Sequence, residues 1–336
     1  MKTNKLTELP PPPSLIAALM AGFDAITRSI VLILFPVALD LLLWLGPHLN
    51  IGRLIDEYWR QVSALSELGA AESAEFFQSN QELWTFISEN MNIMAVLRTY
   101  PVGIPSLMAS RLPTSIPGGE PSVLYLASGI SLVAVSVILT ITGLVLGSLY
   151  YLGVAEAALS NEVSWLATLK TWPRVTVQVL LLALMFIVLF VAISIPASCM
   201  ISALVLTGPT ISRLAVLVML AVLIWLIFPL LLSAHGIFVY GNNMFASVKK
   251  SLTLTRMTFP TTSLLFLAIV TISQGLDIVW RIPAEDSWFT LVGIFGHAFV
   301  TTGLLSATFI YYRNADRWVQ RVQAYWSQLS SPQPKT

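Results

Sequence analysis

The chain has 336 residues, of which 56% are hydrophobic and 10% charged, against roughly 25% charged in a soluble globular domain. So few charges cannot cover a water-soluble domain of this size. A mean hydropathy of +0.79, with uncharged apolar runs longer than about 18 residues, makes the bilayer the solvent and excludes a cytosolic enzyme or nucleic-acid-binding domain. The 18 Lys and Arg against 17 Asp and Glu leave +1, which attracts no polyanion, and the single Cys199 excludes an internal disulfide framework or a cysteine metal cluster.

Residues 1–13, ending in Pro10 to Pro13, read as a disordered tail. Residues 14–46 read as an interfacial helix, with Leu15, Leu19, Phe23 and Ile26 at helical spacing, followed by a first span from Ser29 to Gly46. That span starts late, carries Asp40 and runs into Gly46-Pro-His48 rather than a small-residue cleavage site, so it reads as a permanent anchor. Residues 47–122 form an acidic extracytoplasmic region. Its first part has helical stripes at Leu54, Tyr58, Val62 and Leu65 and at Trp84, Ile87, Met91 and Met94, which predict two short amphipathic helices. Its second part, Pro101 to Pro121, is broken by Pro and Gly and predicts irregular loop lying on the outer membrane surface through Ile104, Leu107 and Met108.

Residues 123–313 carry five more spans: Val123 to Tyr151, Val175 to Val205, Leu214 to Tyr240, Thr261 to Trp280 and Trp288 to Tyr312. Pro36, Pro196 and Pro229 are candidate kinks, and Gly143 and Gly147 form a G-x-x-x-G that admits a close backbone neighbour. Residues 314–336 read as one more interfacial helix, with Trp318, Val322 and Tyr325 on one side, and a polar tail. The expected fold is all-α: a polytopic membrane protein with six transmembrane helices, short interfacial helices and a small helical extracytoplasmic cap. Sorting Lys and Arg by side places 12 with the termini and six with the acidic region, so the positive-inside rule puts both termini of this multi-pass cell (inner) membrane protein in the cytoplasm.

A weak internal repeat adds to this plan. Trp165-Leu-Ala-Thr-Leu-Lys-Thr-Trp-Pro173 precedes the third span and Ser251-Leu-Thr-Leu-Thr-Arg-Met-Thr-Phe-Pro260 precedes the fifth; each is amphipathic and ends in Thr-aromatic-Pro. With the segment before the first span as a looser copy, the pattern reads as three units. Each is an interfacial helix feeding a two-span hairpin, with Leu15 to Ile26, Trp165 to Trp172 and Met244 to Leu254 flat on the cytoplasmic face. The plainer alternative is that juxtamembrane Trp and Arg are common to polytopic proteins.

Chemistry is scarce. Neither G-x-x-x-x-G-K-[ST] nor G-x-G-x-x-G occurs. His48, His235 and His297 lie in different elements and none forms an H-E-x-x-H pair, and Leu232-Ser-Ala-His-Gly236 does not make the nucleophile turn of an intramembrane serine protease. No enzyme activity, cofactor, metal or nucleic acid is expected, and the bilayer is the evident partner. What remains is a set of intramembrane polar residues, which are costly in lipid: Asp40 in the first span, Gln274, Asp277 and Arg281 on one face of the fifth, and His297 in the sixth. Converging, they would bind a cation or polar solute or relay protons. Taken singly, Asp277 and Arg281 are a self-neutralising i, i+4 pair, and Asp40 and His297 are structural hydrogen-bonders.

The run Ile33-Leu-Phe-Pro-Val-Ala-Leu-Asp-Leu-Leu-Leu-Trp-Leu-Gly-Pro47 resembles the first span of a group of uncharacterised bacterial polytopic membrane proteins, in which a Pro, an intramembrane Asp and a terminal Trp-x-Gly-Pro recur. Tyr100-Pro-Val-Gly-Ile-Pro105 is similar to their outer loop. The helix-then-hairpin plan also resembles the membrane domain of bacterial glycerophosphodiester phosphodiesterases, without their catalytic domain. The expected role is a membrane scaffold or accessory subunit without chemistry of its own. The alternative is a small transporter or channel with a polar path past Asp40 and the fifth span, although the fourth span is apolar around Trp225 where a transporter usually breaks its helices.

Overall fold

The structure is a computed structural model and describes residues 11–66, 91–160, 163–205 and 209–330. Among the described residues five helices are long and apolar enough to cross a membrane, or six if Leu15–Arg28 and Ile30–Leu45 count as one span. The fold is therefore the expected all-α polytopic one. The chain divides into two compact units, one built from residues 1–29, 151–271 and 303–336 and the other from 30–150 and 272–302.

In the first unit, α1 (Leu15–Arg28) starts at Ser14, whose hydroxyl accepts from the Ala17 amide, and buries Ala18, Gly22, Ala25 and Ile26. Gly22 lies against α11 (Thr290–Ser330): a Cβ there would sit 2.6 Å from the backbone nitrogen of Ala307. The inward stripe of α1 thus packs on an uncharged stretch of the last span. Two other sequence expectations need correction. Trp165–Trp172 is not a separate interfacial helix but the first two turns of α6 (Trp165–Val205), which runs through Pro173 and Pro196. Likewise the segment after Arg313 continues α11 without a break to Ser330, because no Gly or Pro interrupts it after Gly303.

The fourth span is discontinuous. Following α7 (Pro209–Ile227) come a short 3-10 turn at Phe228–Leu230, turns through Ala234, and α8 (His235–Tyr240). Pro229 has no N–H and ends the regular ladder, so the freed carbonyls need other donors. They come from α9 (Met244–Met257): Ser251 Oγ donates to the Pro229 carbonyl at 2.7 Å and Ser247 Oγ to the Ser233 carbonyl. The buried face of α9 is accordingly Met244, Ser247, Ser251, Leu254 and Thr255 rather than an apolar stripe, and Phe245 points outward, 76% exposed. The repeat is not one of structure either. At its second copy the helix stops at Thr258 before α10 (Phe259–Trp280), whereas at its first copy the helix passes through Pro173.

The second unit holds α2 (Leu34–Leu45), entered through a 3-10 turn at Ile30–Ile33. β1 (His48–Asn50) pairs in parallel with β2 (Val123–Tyr125), so the predicted start of the second span is a strand, and the helix α5 runs instead from Gly129 to Ser160. His48 Nε2 lies 3.1 Å from the Leu43 carbonyl and must carry the proton there, since a carbonyl only accepts; burial holds this ring below the usual imidazole range, hence neutral. The first predicted amphipathic helix is α3 (Gly52–Ser66). Trp84 and Ile87 of the second stripe lie outside the described residues, as do Glu67, Glu72, Glu75, Glu82 and Glu89. Of that stripe's described members, Met91 precedes a 3-10 turn at Ile93–Leu97 and Met94 lies within it.

The Pro/Gly-rich segment is irregular apart from one helical turn, α4 (Met108–Arg111), and a tight turn from Ile116 to Gly119, but its apolar residues do not lie on the outer surface. Val102, Ile104, Leu107 and Met108 are all buried within the unit. Gly143 and Gly147, in the middle of α5, receive the backbone at the end of the 3-10 turn and the start of this segment rather than another helix: a Cβ at Gly143 would stand 2.4 Å from the Leu97 carbonyl oxygen, and one at Gly147 3.0 Å from Gly103 Cα. Non-helical backbone at membrane depth survives only where protein encloses it, and the two glycines make the room. Gly143→Ala is therefore expected to cost about 1–3 kcal/mol and lower the melting temperature in detergent. Gly129→Ala, whose Cβ meets nothing within 4 Å, should leave it nearly unchanged, and equal shifts would contradict this packing.

Candidate functional site

The inserted segment is held by Asp40. The inward face of α2 carries Pro36, Val37, Leu39, Asp40, Leu43 and Trp44, and Asp40 is fully buried. Its Oδ1 accepts from Ser106 Oγ at 2.5 Å and from the Met108 amide at 2.9 Å, and its Oδ2 accepts from the Leu107 amide at 3.2 Å. Ser106 Oγ in turn accepts from the Ala109 amide at 3.0 Å. The first N–H groups of a helical turn have no partner of their own. Here a carboxylate on the facing helix and the serine hydroxyl supply three acceptors, and the same contacts answer the charge of Asp40 inside an apolar unit.

Further ties run from the segment to the connector between the last two spans. Arg111 reaches Glu285 at 3.3 Å and the Pro283 carbonyl at 2.6 Å, and the Thr114 amide donates to Glu285 at 2.9 Å. Trp44 Nε1 donates to the Glu285 carbonyl at 2.9 Å, with its ring edge-on to Trp288. Arg281 donates to Ser110 Oγ at 2.8 Å. No Asp277–Arg281 ion pair forms within 4.0 Å among the described residues, so the expected i, i+4 pair is replaced by a bond to the loop.

Of the sequence candidates, Asp40, His297 and Asp277 come into line. His297 Nδ1 is 3.9 Å from Asp40 Oδ2, and its Nε2 is 3.7 Å from Asp277 Oδ1, both longer than a hydrogen bond. His297 Nδ1 and Asp277 Oδ1 are buried without a hydrogen-bond partner. Arg98, at the end of the 3-10 turn, is near enough for its charge to act on all three. Gln274 stands apart, exposed on α10, with no hydrogen bond to the others. Among the described residues no group of three or more His, Cys, Asp or Glu could hold a metal ion. The cavity beside α2, about 410 Å³, is lined by Leu34, Phe35, Leu39, Leu42, Ile104 and Leu146 with other residues that carry no polar side chain for a solute.

Ser106, the Leu107 and Met108 amides, Arg98 and Glu285 did not stand out in the sequence. Ile104, Leu107 and Met108 stood out only as apolar residues in a stretch that Pro and Gly break, which says that the segment is covered but not by what. No protein-family model, curated protein or solved structure matches the chain.

Proposed function

We propose that this chain is a multi-pass protein of the cell (inner) membrane, both termini cytoplasmic, that serves as a scaffold or accessory subunit without chemistry of its own. The observation that carries this reading is the state of Asp40: both carboxylate oxygens are taken by donors of the chain itself. A transported ion or proton would have to displace contacts that hold the inserted segment. The apolar lining of the neighbouring cavity supports the same reading. Orientation rests on the Lys and Arg distribution, and kinship with the uncharacterised bacterial membrane proteins rests on the Ile33 to Pro47 and Tyr100 to Pro105 runs.

One observation favours the alternative, a small transporter or channel. His297 stands between two carboxylates at 3.9 and 3.7 Å with an unpartnered nitrogen, an order that suits a proton relay. The two readings separate in proteoliposomes holding the full-length protein and a pH-sensitive dye, with a potassium–valinomycin potential, negative inside, as driving force. The scaffold reading predicts proton entry no faster than in protein-free vesicles, for wild type and Asp40→Asn alike. Proton entry that wild type supports and Asp40→Asn abolishes would establish the relay instead.

A further inference from the structure

We propose that the cleft between α9 and the stretch of α11 beyond Tyr312 binds the phosphate headgroup of an anionic phospholipid. The depth of the cleft follows from charge. From Thr290 to Tyr312, α11 carries no Asp, Glu, Lys or Arg, and at about 1.5 Å per residue this stretch is roughly 34 Å long, enough to cross about 30 Å of hydrocarbon. Arg313 begins a polar continuation. The other wall, α9, ends at Met257, just before α10 enters its own uncharged run at Phe259. Both walls therefore leave the hydrocarbon at one face, where headgroups lie.

The cleft encloses about 350 Å³ and its polar lining is Lys249, Lys250, Thr253, Asp316, Gln320 and Gln323. Its one acid is already engaged. Asp316 is buried and accepts from Lys250 at 2.9 Å, Tyr240 at 2.7 Å and Gln320 at 3.0 Å. Lys250 is fixed a second time by the Tyr240 ring, 3.9 Å below its ammonium. Lys249 is exposed and forms no ion pair among the described residues. Asp316 matches the charge of Lys250, so the surplus positive charge of the lining is that of Lys249, beside the amides of Gln320 and Gln323, and Arg317 and Arg321, one turn apart on α11, add to the field. A phosphate oxygen is the group this set of donors suits. Phe245, 76% exposed beside the lining residue Ala246, favours a lipid over a free anion, because its ring has acyl chain to meet only if the phosphate belongs to a membrane lipid.

The test uses full-length protein stripped of lipid in detergent and native mass spectrometry, with dioctanoyl phosphatidylglycerol, dioctanoyl phosphatidylcholine and inorganic phosphate as probes. One phosphatidylglycerol should be retained in preference to phosphatidylcholine, and inorganic phosphate at the same concentration should not displace it. Lys249→Gln should weaken that binding about fivefold, the factor for about 1 kcal/mol per basic residue at an anionic surface. Lys170→Gln, which removes an exposed lysine outside the cleft, should not. Equal retention of the two lipids, equal weakening by the two variants, or displacement by inorganic phosphate would each overturn the proposal.

Discussion

Asp40→Leu is expected to destabilise the protein by about 3–5 kcal/mol, the range for removing one partner of a buried charged contact. The change leaves the Leu107 and Met108 amides and the Ser106 hydroxyl without their acceptor in a site closed to water, and each orphaned group costs about 1–3 kcal/mol. At about 2–4 °C per kcal/mol, the melting temperature in detergent should fall by roughly 10 °C. Asp40→Asn retains one oxygen acceptor but turns an NH₂ toward a donor, so a loss of about 1–2 kcal/mol is expected. Hydrogen exchange should report where the loss falls: in the leucine variant the amides of residues 102–111 should exchange faster than those of α11. An Asp40→Leu protein that melts with wild type would mean that the inserted segment is held by its apolar contacts alone.

The second large effect is expected from Ser247→Ala combined with Ser251→Ala. These hydroxyls are the donors to the Ser233 and Pro229 carbonyls at the break in the fourth span, and both are fully buried, so no water replaces them. Two unanswered carbonyls at about 1–2 kcal/mol each predict a loss of about 2–4 kcal/mol. The single variants should each lose about half, with increased proteolysis or hydrogen exchange confined to residues 228–247. Wild-type melting of the double variant would show that the break satisfies its own carbonyls.

The spans were legible because apolar length is a one-dimensional signal, and Asp40 stood out because a charge in such a run is costly wherever it points. Its partner was not legible. The donors are backbone N–H groups, which every residue has, and they are brought to Asp40 from a segment some 66 positions away. Ile104, Leu107 and Met108 were read as lipid-facing because period and composition cannot tell an apolar residue that meets lipid from one that meets a neighbouring helix. The same ambiguity hid the role of α1, whose Gly22 meets Ala307. Arg281 was assigned to Asp277 by helical spacing, but Ser110 offered an acceptor on the inserted loop. The repeat ended an interfacial segment at Pro173, but the helix runs through it, the lost ladder bond and the ring clash of an interior proline being outweighed by the length of helix on both sides.

Asp40 and Ser106 act together as the clasp of an inserted segment, and a double-mutant cycle reads that coupling. Stability would be measured for wild type, Asp40→Leu, Ser106→Ala and the double variant. The double variant should lose less than the sum of the singles by about 1 kcal/mol or more, because each single change already breaks the shared bond. Losses that add to within about 0.5 kcal/mol would contradict it.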